Sequence, residues 1–281
     1  MDLSLPDAKL ADYLSTQVPG FAGPLRSTKF KGGQSNPTYL IEAASGRYVL
    51  RRKPPGQLLA SAHAVDREFR VLQALHGGPV PVATPRHLCR DESVIGSMFY
   101  LMEFVDGRIH WDPSLPGMEP RQRAAHFRAI VETLAALHGV DVAAAGLSDY
   151  GKPGNYFARQ LSRWSEQYAA SRTRAIPAMD ALIERLPARC PADDGVVALT
   201  HGDYRIDNLM FAPDAPRVVA VVDWELSTLG HPLADLGYNC MAYHLASTGT
   251  GGSGIHQHGR GIHGPDLAGL GIPSEAEYVA E

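Results

Sequence analysis

Residues 199–211 read LTHGDYRIDNLMF, which places charged and amide side chains between two short apolar runs. These side chains are His201, Asp203, Arg205, Asp207 and Asn208. A loop that only joins two elements has no need of so many charged and amide groups beside hydrophobic residues. The interval of five positions from Asp203 to Asn208 brings a carboxylate and an amide oxygen into one loop, and Mg²⁺ prefers oxygen ligands.

A second carboxylate follows a hydrophobic run. The segment VVAVV reads as a short strand that ends at Asp223, so a rigid element would hold this carboxylate in place. Transfer of a γ-phosphoryl group needs a divalent metal, a carboxylate that orients the attacking hydroxyl, and a cation fixed by a carboxylate. Protein kinases use the same Asp-to-Asn spacing, followed by a metal-binding Asp. Asp and Asn are also favoured in turns, but the pattern favours catalysis over loop capping for Asp203, Asn208 and Asp223.

The composition argues against several other classes of protein. The 281-residue chain has a formal net charge of -4 and a pI of about 6.3, so nothing indicates a nucleic-acid partner. Cys89, Cys190 and Cys240 form no CxxC motif, which argues against a disulfide framework or a zinc site. No segment has the roughly 20 apolar residues of a membrane span, and the N-terminus is not a signal peptide. We therefore expect a cytoplasmic protein with no membrane span.

The first hundred residues predict a sheet with few helices. Residues 5–18 are typical of a short amphipathic helix, and the hydrophobic spacing of residues 61–75 predicts another. Residues 38–42 and 47–51 predict two strands joined by a turn. Residues 94–104 are typical of a buried strand or a pair of strands.

Helices dominate the second part of the chain. The pattern predicts helices at residues 120–138, 156–170, 178–186 and 231–244, and another from Ser274 onward. A sheet-rich front and a helix-rich back predict an α+β fold of two lobes with a cleft between them. We expect an N-lobe at 1–105 and a C-lobe at 106–281, which holds the catalytic loop 199–211 and the strand end 219–225.

The ordered motifs resemble one known superfamily. HGDYRIDN fits HGDxxxxN, the catalytic loop of the aminoglycoside phosphotransferase and choline kinase superfamily, which has a protein-kinase-like fold. GGQSNPTYLI, YVLRRKPPG, SAHAVDREFRVLQAL and DWELSTLGHPLADL resemble the kinase-like domain associated with acyl-CoA dehydrogenases. The likeness extends over essentially the whole chain. Because related domains continue through further helices, it also implies that the C-terminus at Glu281 is truncated.

The resemblance implies ATP and Mg²⁺ as cofactors and a role for each motif residue. Asp203 would be the catalytic carboxylate, with His201 bracing the loop and Arg205 in support. Asn208 and Asp223 would hold Mg²⁺. Glu225 is a further supporting group.

The resemblance also implies a nucleotide site in the N-lobe. Glu68 would pair with a cation on the strand that ends YVLRR, where Arg51 stands at the position that is commonly Lys. Residues 102–105, with Met102, Glu103 and Val105, would form the hinge that meets adenine. The turn that covers the phosphates would contain Gly32, Gly33, Gln34, Ser35 and Asn36. Arg52 and Lys53 follow Arg51, so the sequence leaves open which of these side chains reaches the phosphates.

These observations favour a kinase that phosphorylates a hydroxyl of a small molecule. The resemblance implies a hydroxy fatty acid or hydroxyacyl-CoA as the acceptor, and an acyl-CoA dehydrogenase as a possible partner. An inactive nucleotide-binding pseudokinase that partners such a dehydrogenase is the alternative, because Arg51 replaces Lys. An aminoglycoside or choline-type kinase is a weaker alternative, and a protein kinase is weaker still. A metal site at His256, His258 and His263 is disfavoured, because the spacing is loose and the surroundings are glycine.

Overall fold

A computed structural model describes residues 4–30, 36–54, 64–247 and 261–281. The N-lobe contains a five-stranded antiparallel sheet in the order β1-β2-β3-β5-β4. Its strands are β1 (Leu25–Lys29), β2 (Thr38–Ala43), β3 (Gly46–Arg52), β4 (Pro85–Cys89) and β5 (Phe99–Glu103). Two helices accompany the sheet, α1 (Asp7–Gln17) and α2 (Val65–Leu75).

The two faces of the sheet pack against different partners because side chains alternate along a strand. Tyr48 and Leu50 of β3 belong to the cluster that α1 closes with Leu10 and Leu14. Tyr100 of β5 joins the other cluster, which contains the buried face of α2 and the core of the C-lobe. The sheet therefore separates a small N-lobe core from the main core of the molecule.

Two strands of the N-lobe sheet were not expected from the sequence, and one was predicted too long. β1 and β4 carry polar residues and no clear apolar alternation, so sequence reasoning missed both. The strand predicted at 94–104 is observed only from Phe99, because a turn with Gly96 at φ +84° precedes it. The helix predicted at 61–75 begins at Val65 in the described residues.

The C-lobe is mainly helical. Its helices are α3 (Pro120–His138), α4 (Tyr156–Ser171), α5 (Pro177–Arg185), α6 (Pro232–Cys240), α7 (Leu267–Leu270) and α8 (Glu275–Ala280). Its short strands are β6 (Arg108–Ile109), β7 (Ala198–Thr200), β8 (Leu209–Phe211), β9 (Val218–Val221) and β10 (Thr228–Gly230). They form an antiparallel β6-β8-β9 sheet and a β7-β10 pair. The predicted α+β architecture is confirmed, and the lobe boundary at residue 105 stays a prediction.

The core of the C-lobe forms around α3. Its stripe of Phe127, Ile130, Leu134 and Leu137 is buried against the strands on either side of the catalytic loop. α4 and α5 contribute no buried residue. In the described part of the chain, no helix is both long and apolar enough to cross a membrane.

Candidate active site

Within the catalytic loop, residues 201–208 connect β7 to β8, and Asp235 of α6 anchors them. The buried carboxylate of Asp235 accepts hydrogen bonds from the backbone N–H of His201 at 2.7 Å and of Gly202 at 2.8 Å. Gly202 has φ +82°, and a Cβ at this position would lie 2.6 Å from the carbonyl oxygen of Leu226. Only glycine fits there without a shift of the backbone, so the loop has one defined path.

His201 is a brace and its ring nitrogens are both engaged. Nε2 lies 3.0 Å from the carbonyl oxygen of Val222, which can only accept, so Nε2 carries the hydrogen. Nδ1 accepts from the backbone N–H of Asp203 at 3.3 Å. The ring is fully buried and lies 4.8 Å from the Trp224 ring, centroid to centroid. His201 therefore ties the catalytic loop to the end of β9.

Asp203 and Asn208 meet within this loop. Asn208 Nδ2 donates to Asp203 Oδ2 at 2.9 Å and to the Asp203 carbonyl oxygen at 2.8 Å. Arg205 Nε lies 3.4 Å from Asp203 Oδ1, and Arg205 also pairs with Asp207 at 2.6 Å. The Asp203 carboxylate is thus oriented by an amide on one side and a guanidinium on the other.

Asp223 lies beside the catalytic loop in an unusual backbone conformation. It follows β9 and has φ +68°, which few residues other than glycine adopt. Trp224 anchors the turn, since its ring is buried and its Nε1 donates to the Val221 carbonyl at 3.0 Å. The Asp223 side chain is 37% exposed and accepts from Arg51 at 2.6 Å.

Arg51 is the centre of a cluster of carboxylates, which we call the Arg51 cluster: Arg51, Glu68, Asp223 and Glu225. Arg51 Nε lies 2.9 Å from Glu68 Oε2, and its terminal nitrogen lies 2.6 Å from Asp223 and 3.5 Å from Glu225. One guanidinium thus contacts three carboxylates that come from α2 and from the turn after β9. A planar, permanently charged side chain suits such multiple pairing.

Two further side chains hold Glu68 in place. Tyr100, opposite Arg51 in the β3–β5 register, donates its hydroxyl to Glu68 Oε2 at 3.1 Å. The fully buried Asn36 donates to Glu68 Oε1 at 2.8 Å. The Glu68 carboxylate therefore has hydrogen-bond donors at both oxygens. In this structure the Asn36 side chain contacts Glu68, whereas Gly32, Gly33, Gln34 and Ser35 of the expected phosphate turn lie outside the described residues.

Burial changes the titration of Glu68. Desolvation raises the pKa of its carboxyl from the ordinary 4.5 to about 7, and the positive charge of Arg51 opposes this rise. The neighbouring carboxylates Asp223 and Glu225 add to the increase. Glu68 therefore titrates close to neutral pH.

α2 is anchored to the C-lobe next to the Arg51 cluster. Arg67 donates to the Tyr150 carbonyl at 2.7 Å and lies over the Tyr150 ring at 4.1 Å. The Tyr150 hydroxyl is 2.8 Å from Ser227 Oγ, in the segment after Asp223. The helix that carries Glu68 and the turn that carries Asp223 thus share one set of contacts.

The remaining residues expected to bind the nucleotide lie at the end of β3 and at the end of β5. Arg51 faces the cluster, whereas Arg52 is buried on the other face of β3 and donates from Nε to Ser97 Oγ at 2.9 Å. Of these two arginines, Arg51 is therefore the one in the site. Met102 and Glu103 end β5, and the Glu103 N–H donates to the Thr84 carbonyl at 2.9 Å. Val105 follows in the connection to the C-lobe.

Sequence reasoning missed three residues that shape the site. Asp235 is buried and fixes the loop, yet the sequence shows only an acid within the segment HPLADL. Tyr100 is one aromatic among several in its strand. Tyr238 of α6 hydrogen-bonds to Asp203, and burial together with this bond raises the pKa of the Tyr238 hydroxyl to about 12. No regular spacing in the sequence points to any of these three residues, because the residue that each one contacts is distant along the chain.

The residues present fit a magnesium ion. Both hydrogens of Asn208 Nδ2 are used on Asp203, which leaves the Asn208 Oδ1 atom to meet a cation. The partly exposed Asp223 carboxylate supplies a second hard oxygen. Within the described ranges, no three His, Cys, Asp or Glu side chains form a metal-binding group. A Mg²⁺ ion is compatible with few protein ligands, because phosphate oxygens and water complete its shell.

An open cleft of about 1400 Å³ lies beside the catalytic loop. Gly202, Glu225 and Tyr238 line one side of it, and Gln160 and Trp164 of α4 line the other. The cleft is thus bounded by the catalytic loop and by a helix that contributes nothing to the core.

Comparisons with known proteins agree with this geometry. The profile of the APH family, described as a phosphotransferase enzyme family, matches residues 27–270. Mouse acyl-CoA dehydrogenase family member 10 is 46% identical over 277 residues, which cover 98% of this chain and 25% of that protein. Mouse acyl-CoA dehydrogenase family member 11 is 44% identical over 270 residues, which cover 95% of this chain and 34% of that protein. The chain thus spans a quarter to a third of these relatives.

A solved structure extends the likeness to the fold. It is the crystal structure at 2.32 Å resolution of a Ralstonia eutropha JMP134 protein named after the aminoglycoside phosphotransferases. It matches with a TM-score of 0.86 and 51% identity, over 98% of this chain and 78% of that chain. The family resemblance and the protein-kinase-like fold expected from the sequence are both confirmed. The chain belongs to the phosphotransferase enzyme family.

Proposed function

We propose that the protein is an ATP- and Mg²⁺-dependent phosphotransferase that acts on a hydroxyl of a small molecule. The observation that carries this proposal is the convergence of Asp203, Asn208 and Asp223 beside an arginine that a buried glutamate holds. Phosphoryl transfer needs such a carboxylate, such metal ligands and such a fixed cation in one place.

In the proposed reaction, the acceptor hydroxyl attacks the γ-phosphorus of ATP in line with the leaving group. The bond from the acceptor oxygen to phosphorus forms as the bond between the γ-phosphorus and the β–γ bridging oxygen breaks, and ADP leaves. Asp203 orients the hydroxyl and accepts its proton. His201 is not available as a base, because its unprotonated Nδ1 already accepts from the Asp203 N–H. The Tyr238 hydroxyl and Asn208 keep the Asp203 carboxylate oriented.

Two groups of residues serve the nucleotide. Asn208 and Asp223 would hold Mg²⁺, which would supply positive charge to neutralise the phosphates. Arg51 exchanges its contact with Asp223 for a phosphate oxygen while Glu68 keeps its position. Met102, Glu103 and Val105 form the hinge beside adenine.

We further propose a hydroxy fatty acid or hydroxyacyl-CoA as the acceptor. The support is the similarity to relatives named as acyl-CoA dehydrogenases. Phosphorylation of a hydroxyl on an acyl chain makes it a leaving group for a later elimination. Such a dehydrogenase is the proposed partner, and the cytoplasm the proposed location. A polycationic aminoglycoside fits less well, because Glu225 and Asp235 in the open cleft are already paired and Arg67 and Arg163 also line it.

The test is acceptor-dependent release of ADP from Mg·ATP by the wild type and by Asp203→Ala. The panel contains 3- and 4-hydroxyacyl-CoAs, free hydroxy acids, choline and kanamycin. We expect turnover with hydroxyacyl compounds, and we expect Asp203→Ala to lower it by about 10²- to 10⁴-fold while ATP still binds. Turnover that Asp203→Ala leaves unchanged would contradict the proposed role of the loop.

One observation favours a second candidate, the inactive pseudokinase. Arg51 occupies the Asp223 carboxylate at 2.6 Å, so the proposed metal ligand is neutralised by the protein itself. A pseudokinase would bind nucleotide without metal-dependent turnover and would act as a partner module of a dehydrogenase. ATP binding and ADP release, each measured with and without Mg²⁺, separate the two, because only the kinase shows metal-dependent turnover.

A further inference from the structure

Helix α6 is fastened to the catalytic loop at two points, and Tyr238 lies between them. Asp235 accepts from two backbone N–H groups at the start of the loop. One turn further along α6, Asn239 Nδ2 donates to the Tyr204 carbonyl at 3.2 Å. Positions 235, 238 and 239 share one face of the helix, because side chains three and four residues apart are neighbours. The two anchors therefore place Tyr238 beside Asp203.

The Tyr238 side chain meets the catalytic carboxylate at the edge of the open cleft. It lines that cleft together with Gly202, and it lines a second cavity of about 710 Å³ together with Arg205. The ring thus lies alongside the loop between these two residues, where its hydroxyl donates a hydrogen bond to Asp203. The side chain is only partly buried, so it borders the space from which an acceptor arrives.

The Asp203 carboxylate has little room for a further donor. Asn208 Nδ2 donates to its Oδ2 at 2.9 Å, and Arg205 Nε lies 3.4 Å from its Oδ1. Together with the Tyr238 hydroxyl, these groups of the described residues engage three of the roughly four acceptor positions of a carboxylate. Asn208 and Arg205 belong to the loop itself, whereas Tyr238 comes from a separate helix and borders the cleft.

A carboxylate that orients an acceptor hydroxyl orients water in the same way. Water at this position beside Mg·ATP would bond to the γ-phosphorus as the bond to the β–γ bridging oxygen breaks. Asp203 would take the proton, and ADP and phosphate would leave without any acceptor being used. Exclusion of water until the substrate is bound prevents such side reactions. A phenol hydroxyl that occupies the carboxylate is a direct means of exclusion.

We propose that Tyr238 is a positioning residue that occupies the acceptor position at Asp203 and suppresses ATP hydrolysis until an acceptor hydroxyl displaces it. Asn208 keeps the carboxylate oriented during this exchange, because its contacts with Asp203 lie within the loop. Space for the displaced ring exists on both sides of the loop, in the two cavities that Tyr238 lines. This inference rests on the proposed phosphotransferase function and adds to it a selection of acceptor over water.

The test is ADP release from saturating Mg·ATP in the absence of an acceptor, by the full chain and its variants. Tyr238→Phe keeps the ring and removes the hydroxyl, so water gains a place at Asp203. We expect ATP hydrolysis to increase by about tenfold, in line with one lost hydrogen bond to a charged group. A merely structural role of Tyr238 predicts a lower rate in this variant, so only the proposed role predicts a gain.

Two further variants locate the origin of the gain. Asp203→Ala combined with Tyr238→Phe should abolish it, because no carboxylate then orients the water. Tyr13→Phe is the matched control, since it also removes a partly buried tyrosine hydroxyl, which lies 2.9 Å from His87 Nε2 in the N-lobe. It should hydrolyse ATP at the wild-type rate.

Three results would overturn the proposal. The first is an unchanged or lower rate of hydrolysis in Tyr238→Phe. The second is a gain that persists in the double variant or that also occurs in Tyr13→Phe. The third is transfer of phosphate to Tyr238 of the wild type, detected by mass spectrometry as one added phosphoryl group, because the hydroxyl would then itself be an acceptor.

This proposal and the proposed function fail separately. If Tyr238→Phe gains hydrolysis that depends on Asp203 but no compound of the acceptor panel is phosphorylated, the role of Tyr238 stands and the proposed acceptor class falls. If acceptors are phosphorylated while Tyr238→Phe shows no gain, the kinase proposal stands and the role of Tyr238 falls. If no variant releases ADP although each binds ATP, both fall.

Discussion

The catalytic loop and the Arg51 cluster contribute to one site from very different distances along the chain. In the loop, Asp203 and Asn208 are five residues apart and hydrogen-bond directly. In the Arg51 cluster, Arg51 contacts Asp223 and Glu225 across 172 and 174 residues. Spacing therefore reveals the loop, whereas only the packing of sheet, helix and turn assembles the cluster.

The two regions also differ in what fixes them. Backbone amides of the loop bind the buried carboxylate of Asp235, so one side chain sets the path of the loop. The Arg51 cluster consists of charged side chains that compensate one another. We therefore expect loss of the loop anchor to affect folding most, and changes in the cluster to show a dependence on pH and ligands.

The largest effect is expected for Asp235→Ala. The change removes the acceptor of two backbone N–H groups, that of buried His201 and that of partly buried Gly202, and the partner of His138 Nε2, 3.1 Å away. We expect the free energy of unfolding, measured in urea, to fall by about 4 kcal/mol. Asp141→Ala is the matched control, because exposed Asp141 also accepts from two backbone N–H groups, of Ala143 and Ala144. It should cost only about 1 kcal/mol, and equal costs would refute the anchoring role of Asp235.

Removal of the central cation should have the next largest effect. Arg51→Met leaves three carboxylates facing one another, and we expect a loss of about 3 kcal/mol in the free energy of unfolding. Arg51→Lys keeps the charge but not the planar fork, so it should lose about half as much. Chemical denaturation of both variants provides the measurement. If Arg51→Met and Arg51→Lys have the same free energy of unfolding, charge compensation does not hold the cluster together.

Glu68 should give the Arg51 cluster a pH dependence. Its folded pKa of about 7 lies above the ordinary 4.5, so the folded state binds more protons than the unfolded state between these values. Its contribution to stability is therefore complete below pH 4.5 and is lost as pH rises through 7. We expect the difference in unfolding free energy, wild type minus Glu68→Gln, to fall by about 2 kcal/mol from pH 5 to 6.5. A difference that rises over this interval would mean that Arg51, and not burial, dominates the titration.

The smallest effect is expected for the neighbouring arginine. Arg52→Met removes one buried hydrogen bond to Ser97 Oγ and should cost about 1 kcal/mol. Because Arg52 faces the N-lobe core, nucleotide affinity should stay unchanged, whereas Arg51→Met should weaken it. A titration of ATP in the presence of Mg²⁺ compares the two variants. Weaker nucleotide binding by Arg52→Met would contradict the assignment of Arg51 as the cation of the site.

Sequence patterns identified the long helices and the two strands with clear alternation. α3 was predicted at its observed bounds, because its apolar stripe recurs over 19 residues between a proline and a glycine. β1 and β4 were missed, because edge strands of polar composition need a neighbouring strand to define them. The motif RRK at residues 51–53 illustrates the same limit, since the sequence could not say which of three adjacent positive charges enters the site.

By itself, the sequence determined the catalytic loop and the family of this protein. Asp203 and Asn208 lie on one short loop, so covalent distance already keeps the two groups close. Only the tertiary structure decided that Arg51 rather than Arg52 enters the site. It also decided that Tyr100 and Asn36 hold Glu68. The anchoring of the catalytic loop by Asp235 is a third such contact. Side-chain alternation in β3 and the docking of α2 and α6 set these contacts, and such long-range packing leaves no spacing in the sequence.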